Sequence, residues 1–305
     1  MSKFIKIALL VFISSLLYFC NKKAENTETV IKGTANVLVD ETIKPIMDDE
    51  VMVFESEYDA KIVLQPKSES EVIQSFTNGG AKIAVLSRKL NDEENKFFAS
   101  KKIIPKVTLF ATDAIAFISN KNNNDTLIAL QDVIDFMKGK SNSKIKGLVF
   151  DNLNSSTVRY MNELAGIQKT PEQGVYSFKT NEEVIKHVSE NAGMIGVVGA
   201  NWLSQPMPDA QKYKDNINIL SVKPVDGTEY FYPSQNNLAE KKYPLARDLY
   251  IINCQGFSGL GMGFASFVAG ERGQRIILKS DLLPTRIPTR KLNIRNTINK
   301  EKTKK

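Results

Sequence analysis

The sequence predicts an α/β protein of two domains, with parallel sheets and covering helices. Short β-prone apolar runs alternate with helical patterns along most of the chain, as they do where strands are joined by crossover helices. A length of 305 residues is enough for two compact domains, and 42% hydrophobic with 25% charged residues is ordinary for a globular chain. Several strand ends carry hydroxyls or charges, and open α/β sheets bind their ligands beyond the carboxyl ends of their strands.

The chain begins with Lys3 and Lys6 ahead of an apolar run, 7–19, which is too short to cross a bilayer comfortably and ends at Cys20. This is the pattern of an export signal. Leu17-Tyr18-Phe19-Cys20 resembles the lipobox of bacterial lipoproteins, in which the cysteine becomes the lipidated first residue; Phe19 departs from the small residue usual there. The expectation is a signal peptide over 1–20 with lipidated Cys20 and a polar tether over 21–27, the alternative being an uncleaved anchor with an incidental cysteine. Either reading puts the folded part outside the cytoplasm, at a membrane surface. With Cys20 acylated, Cys254 has no partner for an intrachain disulfide.

Residues 31–39 read as a strand and 41–58 as a helix with Ile43, Ile46, Met47, Val51 and Phe54 on one side. A strand over 60–64, a helix over 69–76 and a strand over 81–86 follow, the last ending at Ser87-Arg88. Residues 91–100 are helical, 103–118 supply two extended runs, and 127–137 form another helix. The run 146–150 is a short strand, followed by Asn152, Asn154, Ser155, Ser156 and Thr157 and then a helix with Val158, Met161, Asn162 and Leu164-Ala165 on its buried stripe. Hydroxyls there can cap the helix, and with the free N–H groups they can equally hold an oxyanion.

Beyond that loop, Thr180 and Glu183 mark the start of a helix over 180–189, and 194–198 is a buried strand. Residues 206–214 read as a polar surface excursion, 217–222 and 247–253 as strands, and 264–278 as a helix after the turn SGLGMG. The basic tail, 291–305, continues a run of bases from Arg286. It reads as solvated, with attraction to an anionic surface second; it lacks the aromatic interleaving of a nucleic-acid binder, so no nucleic-acid partner is expected.

From these pieces in this order the chain resembles the periplasmic phosphate-binding proteins of ABC importers. The matching segments are VDETIKP, KIAVLSRKL, ATDAIAFISNKNN, LIALQDVIDFMKGK, DNLNSSTVRY, NAGMIGVVGANW, YPLARDLYII and ERGQRIIL. The resemblance implies a two-domain periplasmic-binding-protein fold of type II, with two hinge strands and a ligand cleft between the domains. Domain one would be 28–112 plus 224–290, and domain two 113–223. It also implies inorganic phosphate as ligand, a membrane ABC permease as partner, a monomer, no cofactor and no metal, and a place in the cell envelope as a periplasmic or surface-facing lipoprotein.

Carried over by motif, the phosphate donors are Thr42 in the first loop, Ser87 and Arg88 in the second, and Ser155, Ser156 and Thr157 in the third. Arg159 is a further cation near the third loop. Asp40 and Asp113 are candidates to accept a proton of phosphate, a test sulfate would fail. The chain departs from the family in having acids in the first loop, Arg88 directly after Ser87, Asp151 where an arginine is expected, and Ser156 in place of a glycine.

Three other readings stand beside this one. An enzyme needs a base near its nucleophile, but the only histidine, His187, lies in the polar-faced NEEVIKHVSEN, Ser141 to Lys144 lacks the companion motifs of Ser-x-x-Lys enzymes, and no metal-ligand spacing is present. No catalytic residue is therefore assigned. A surface interaction protein of the same fold without ligand is suggested by the acids of the first loop and by Trp202 to Pro206, which read as exposed. Another oxyanion, such as molybdate or sulfate, is the third.

Overall fold

The computed structural model describes residues 28–140, 145–204 and 208–288. The signal segment with Cys20, the tether 21–27, Ser141 to Lys144 and the tail 291–305 lie outside the described residues. Strands β1 (Lys32–Asp40), β2 (Asp59–Lys67) and β3 (Ile83–Leu86) alternate with α1 (Lys44–Glu57), α2 (Glu69–Thr77) and α3 (Asp92–Ser100). A 3-10 turn over Glu41–Ile43 precedes α1. The long β4 (Lys106–Asn120) leads to β5 (Leu127–Ala129), α4 (Leu130–Met137), β6 (Gly147–Phe150), α5 (Ser156–Ala165), β7 (Val175–Ser177), α6 (Asn181–Glu190) and β8 (Met194–Gly199). Two short helices, α7 (Asn201–Ser204) and α8 (Pro208–Lys214), precede β9 (Ile217–Ile219) and β10 (Ser221–Lys223). The chain then passes through α9 (Gln235–Ala239), β11 (Ala246–Asn253), α10 (Leu260–Val268), α11 (Glu271–Lys279) and β12 (Leu283–Pro284).

One curled sheet runs β2-β1-β3-β11-β4-β8-β6-β7, with β9 and β12 also paired to β4. Its two wings are parallel, β1 with β2 and β3, and β6 with β7 and β8; the pairs made by β4 and β11 are antiparallel. The expected parallel sheets are thus joined by two strands of opposite sense. The first half of β4 pairs with β11 and its second half with β8, so this strand carries the chain from one lobe to the other.

Each wing is covered on both faces. In the first lobe Val37, Val39, Ile83 and Val85 face α1 and α10, where Phe54 meets Phe264 and Phe267, both at 5.3 Å between ring centroids. Leu38, Ala84 and Leu86 face the other way, onto Val72 and Phe76 of α2 and Phe98 of α3. This alternation follows from the two-residue period of a strand, and each buried large side chain is worth roughly 1.5–3 kcal/mol. In the second lobe Phe117, Leu148, Phe150 and Val197 pack on α4 and α5, while Ala116, Val149 and Val198 pack on α6 and Trp202.

Several elements differ from the sequence expectation. The two runs of 103–118 are one strand, continuous through Ala111 and Thr112, because that stretch has neighbours in both lobes. The helix over 127–137 gives its first three residues to β5, which pairs with β10. The strand over 217–222 divides at Leu220, its halves pairing with β4 and β5. SGLGMG is not a free turn: Leu260 to Gly263 begin α10, and a Cβ at Gly263 would lie 1.6 Å from the carbonyl oxygen of Val30. The single helix over 264–278 is two, broken at Ala269-Gly270, where Gly273 lets the second pack against Val268. Leu238, Tyr243 and Leu245, expected in domain one, pack in the second-lobe core with Ile115 and Val222, so we place the return crossing at β11 instead of residue 224.

Candidate functional site

Strand ends from both lobes meet where β4 and β11 cross. Asp40 ends β1, and its Oδ1 accepts the N–H of Thr42 at 3.1 Å, fixing the 3-10 turn that holds the Thr42 hydroxyl inward. From the other lobe comes the start of α5. Ser155 is its N-cap, accepting the Val158 N–H at 3.3 Å and donating its own proton to Asp151 Oδ1 at 2.5 Å. Ser156 lies one residue further in, and its Oγ is 3.0 Å from Thr42 Oγ1 across the lobes. Thr157 is fully buried, and its hydroxyl has no hydrogen-bond partner.

Arg247 completes the group. It stands opposite Asp113 in the β11–β4 ladder, and its Nε and Nη2 both donate to Asp113 Oδ2, at 3.2 and 2.9 Å. Nη1 is left to donate to Ser156 Oγ at 3.0 Å. Asp113 Oδ1 has no partner. Asn201 and Trp202, in the short α7 just after β8, donate to the Thr42 carbonyl at 2.9 and 3.1 Å, tying the first loop to the second lobe. Gly199 makes this approach possible, since a Cβ there would stand 3.0 Å from Arg247 Nη2 and 3.2 Å from the Thr42 carbonyl oxygen.

Carboxyls outnumber this cation. Asn181 bridges two of them, donating through Nδ2 to Glu41 Oε2 at 2.9 Å and Asp151 Oδ2 at 3.2 Å, while its own oxygen accepts from Gly199 N–H. Burial pushes the Asp40 carboxyl up to about 6, helped by the charge of Glu69. Burial likewise raises Asp151 to about 7. Glu41 rises to about 8, through burial and then the neighbouring charge of Asp151. Near neutral pH part of this set holds protons, and a protonated carboxyl can donate to an oxyanion instead of repelling it. Outward of Glu41, Asp151 and Ser155 lies a chamber of about 380 Å³ with Lys44 and Lys67 on one lobe and Lys179 on the other. Among the described residues no acid grouping is arranged to hold a metal ion.

The second-loop residues go elsewhere. Arg88, expected in the anion fork, gives Nε to Glu69 at 3.0 Å and Nη1 and Nη2 to Glu94, both at 2.8 Å. Ser87 Oγ is 3.5 Å from Glu69 Oε2, and Arg159 donates to Glu69 and Glu163. All three are drawn to Glu69 because a buried carboxylate requires donors. The structure therefore brings together Thr42, Ser156, Asp40 and Asp113, with Ser155 and Thr157 beside them, and puts Ser87, Arg88 and Arg159 in a neighbouring ion network. Trp202, expected at the surface, is buried, as its indole N–H serves the Thr42 carbonyl.

A family profile described as a PBP superfamily domain matches residues 24–272. The chain belongs to the PBP superfamily. Among curated proteins, this PBP chain is 22% identical over 248 residues to the phosphate-binding protein PstS of Pseudomonas aeruginosa, a match covering 73% of the chain and 74% of that relative. A solved structure described as a phosphate ABC transporter substrate-binding protein with bound phosphate, from Clostridium perfringens, superposes with a TM-score of 0.69 at 21% identity, over 83% of this chain and 100% of that one. An ABC-type phosphate transport receptor from Vibrio cholerae gives 0.58 at 17% identity, over 82% and 99%. These likenesses establish the two-domain PBP fold.

The sequence reading of this PBP chain missed Arg247, Asn181, Asn201 and Glu69. Arg247 did carry a signal: it lies at the start of a largely apolar strand and is buried, where an arginine needs a counter-ion.

Proposed function

We propose that this chain is an extracytoplasmic solute-binding lipoprotein that takes inorganic phosphate between its lobes and delivers it, as a monomer, to a membrane ABC permease. The observation that carries the reading is the contact of Thr42, Ser156 and Arg247 across the lobe boundary, with the unpartnered Thr157 hydroxyl buried beside it. Hydroxyls, a guanidinium and the start of α5 are donors suited to a tetrahedral oxyanion. The relatives described as phosphate-binding support the choice of anion. Ser155, spent on capping and on Asp151, offers the backbone of the helix start more than its hydroxyl.

The buried carboxyls bear on selectivity. Unpartnered Asp40 Oδ2 and Asp113 Oδ1 can accept a proton from phosphate, whereas sulfate brings none near neutral pH and would leave them facing an anion. Phosphate is thereby favoured over oxyanions such as sulfate that carry no proton near neutral pH. Cys20 carries the lipid in this reading, and mass spectrometry of membrane-extracted protein should find an acylated N-terminus at that residue; an intact Met1 would remove the anchor from the proposal. Titration calorimetry of the purified protein with phosphate and with sulfate tests the ligand. Binding of neither would leave the interaction-protein reading in its place.

A further inference from the structure

Beside the candidate site, charges alternate in an unbroken row across the lobe boundary. Glu94 and Arg88 belong to the first lobe, as does Glu69 at the start of α2; Arg159 and Glu163 lie on α5 of the second. Arg159 donates to Glu69 through Nε at 2.6 Å and Nη2 at 3.1 Å, the side-by-side geometry of a strong guanidinium–carboxylate pair. Glu69 is nearly inaccessible, with 5% of its side chain exposed, whereas 28% of Arg159 is exposed. Next to the pair, Ser70 N–H donates to the Asn154 carbonyl at 3.2 Å, a backbone bond between the same two lobes.

What distinguishes this pair from an ordinary buried ion pair is the state it would leave behind. If the lobes part, Arg159 keeps Glu163, which it holds through Nη1 at 3.0 and 2.9 Å within its own helix. Glu69 keeps Arg88, itself anchored to Glu94. Neither half is stranded without a counter-ion, so the penalty that normally makes a buried pair costly to break is largely removed. None of these groups makes a hydrogen bond to Thr42, Ser156 or Arg247. The row can therefore open and close without a ligand.

We propose that Glu69 and Arg159 form a ligand-independent latch that holds the lobes shut, with Arg88 and Glu163 as the resting partners that let it release. The inference rests on the two-lobe fold and not on the identity of the ligand. Its consequence is a population of closed molecules before any solute enters, set by the balance between Glu69 and water for Arg159. Glu69 also bears electrostatically on Asp40, so latch and cleft sense one another.

The test uses full-length protein carrying pyrene on Pro66→Cys and Lys179→Cys, which line one chamber from opposite lobes, so that excimer emission reports the closed form. Without ligand, the excimer signal should be present, and Arg159→Gln and Glu69→Gln should each reduce it. Salt raised from about 0.05 M to about 1 M should lower it in the parent and leave Arg159→Gln unchanged, because screening acts on the charges. Glu163→Gln should do the reverse and raise the salt needed for opening, since it removes the resting partner. With inorganic phosphate as probe, release should be about tenfold faster from Arg159→Gln. An excimer signal that is the same in the parent, Arg159→Gln and Glu69→Gln at every salt, with circular dichroism showing intact folds, would overturn the latch. So would opening on Glu163→Gln, and both readings hold even if phosphate does not bind.

Discussion

Arg247 divides its guanidinium between two duties, and substitutions should separate them. Two nitrogens are committed to Asp113 and one remains for Ser156 and the ligand. Arg247→Lys keeps a charge but lacks the fork, so it can satisfy Asp113 or the cleft and not both; phosphate affinity should fall by about 1.5–3 kcal/mol, read by calorimetry. Arg247→Ala strands Asp113, and the midpoint of urea unfolding should drop by the equivalent of about 3–5 kcal/mol. Thr157 makes the opposite case. Its buried hydroxyl has no hydrogen-bond partner in the protein, so Thr157→Val should leave melting unchanged or raise it while weakening phosphate by about 1 kcal/mol, and Thr157→Ser should preserve binding. A Thr157→Val protein that binds phosphate normally would take this hydroxyl out of the site.

At the scale of the element, what could be read from sequence was local. Thr42 and Ser156 were legible because a strand, a polar loop and a helix start are written in consecutive residues, and the position of such loops in an α/β sheet is general. The role of Arg247 was not, since its partners Asp113 and Ser156 are 134 and 91 residues away and meet it only through the register of β11 on β4. Arg88 looked like an anion fork because it follows Ser87; the carboxylate that claims it, Glu94, was visible six residues on, but buried Glu69 was not. The break between α10 and α11 was likewise hidden, for it answers to a close contact of Gly273 with Val268.

Helix α1 contains another feature that periodicity concealed. Glu50 occupies a core position between Met47 and Phe54, with neither carboxylate oxygen hydrogen-bonded, and burial followed by the charge of Asp49 pushes it from 4.5 to about 9. Because the folded pKa is raised, the folded state binds the extra proton. The associated stability is fully present below the unfolded pKa and is lost as pH rises through about 9. The melting temperature should therefore fall over that window, and Glu50→Leu should flatten the fall and melt higher than the parent at alkaline pH. A Glu50→Leu profile parallel to the parent would mean that Glu50 is solvated.

In the whole molecule, lobe closure is expected to be coupled to protonation. Glu41 belongs to the first lobe and Asp151 to the second; Asn181 joins them, and both lie withdrawn from water with Asp40 nearby. If the lobes part, these carboxyls should return toward their ordinary values of 3.8 for aspartate and 4.5 for glutamate, whereas in the structure burial raises them to about 6 for Asp40, about 7 for Asp151 and about 8 for Glu41. The closed form thus holds more protons, and closure is favoured at low pH and progressively lost as pH rises to about 8. Titrating phosphate near neutral pH in two buffers of different ionisation heat should reveal proton uptake, less whatever proton the phosphate itself surrenders. Glu41→Gln separates the two, since its amide oxygen still accepts from Asn181 but the side chain no longer titrates. The variant should take up fewer protons and show a flatter dependence of affinity on pH. Equal uptake in parent and variant would mean that Glu41 keeps its charge in the closed cleft, and the anion would then have to be held against it by Arg247.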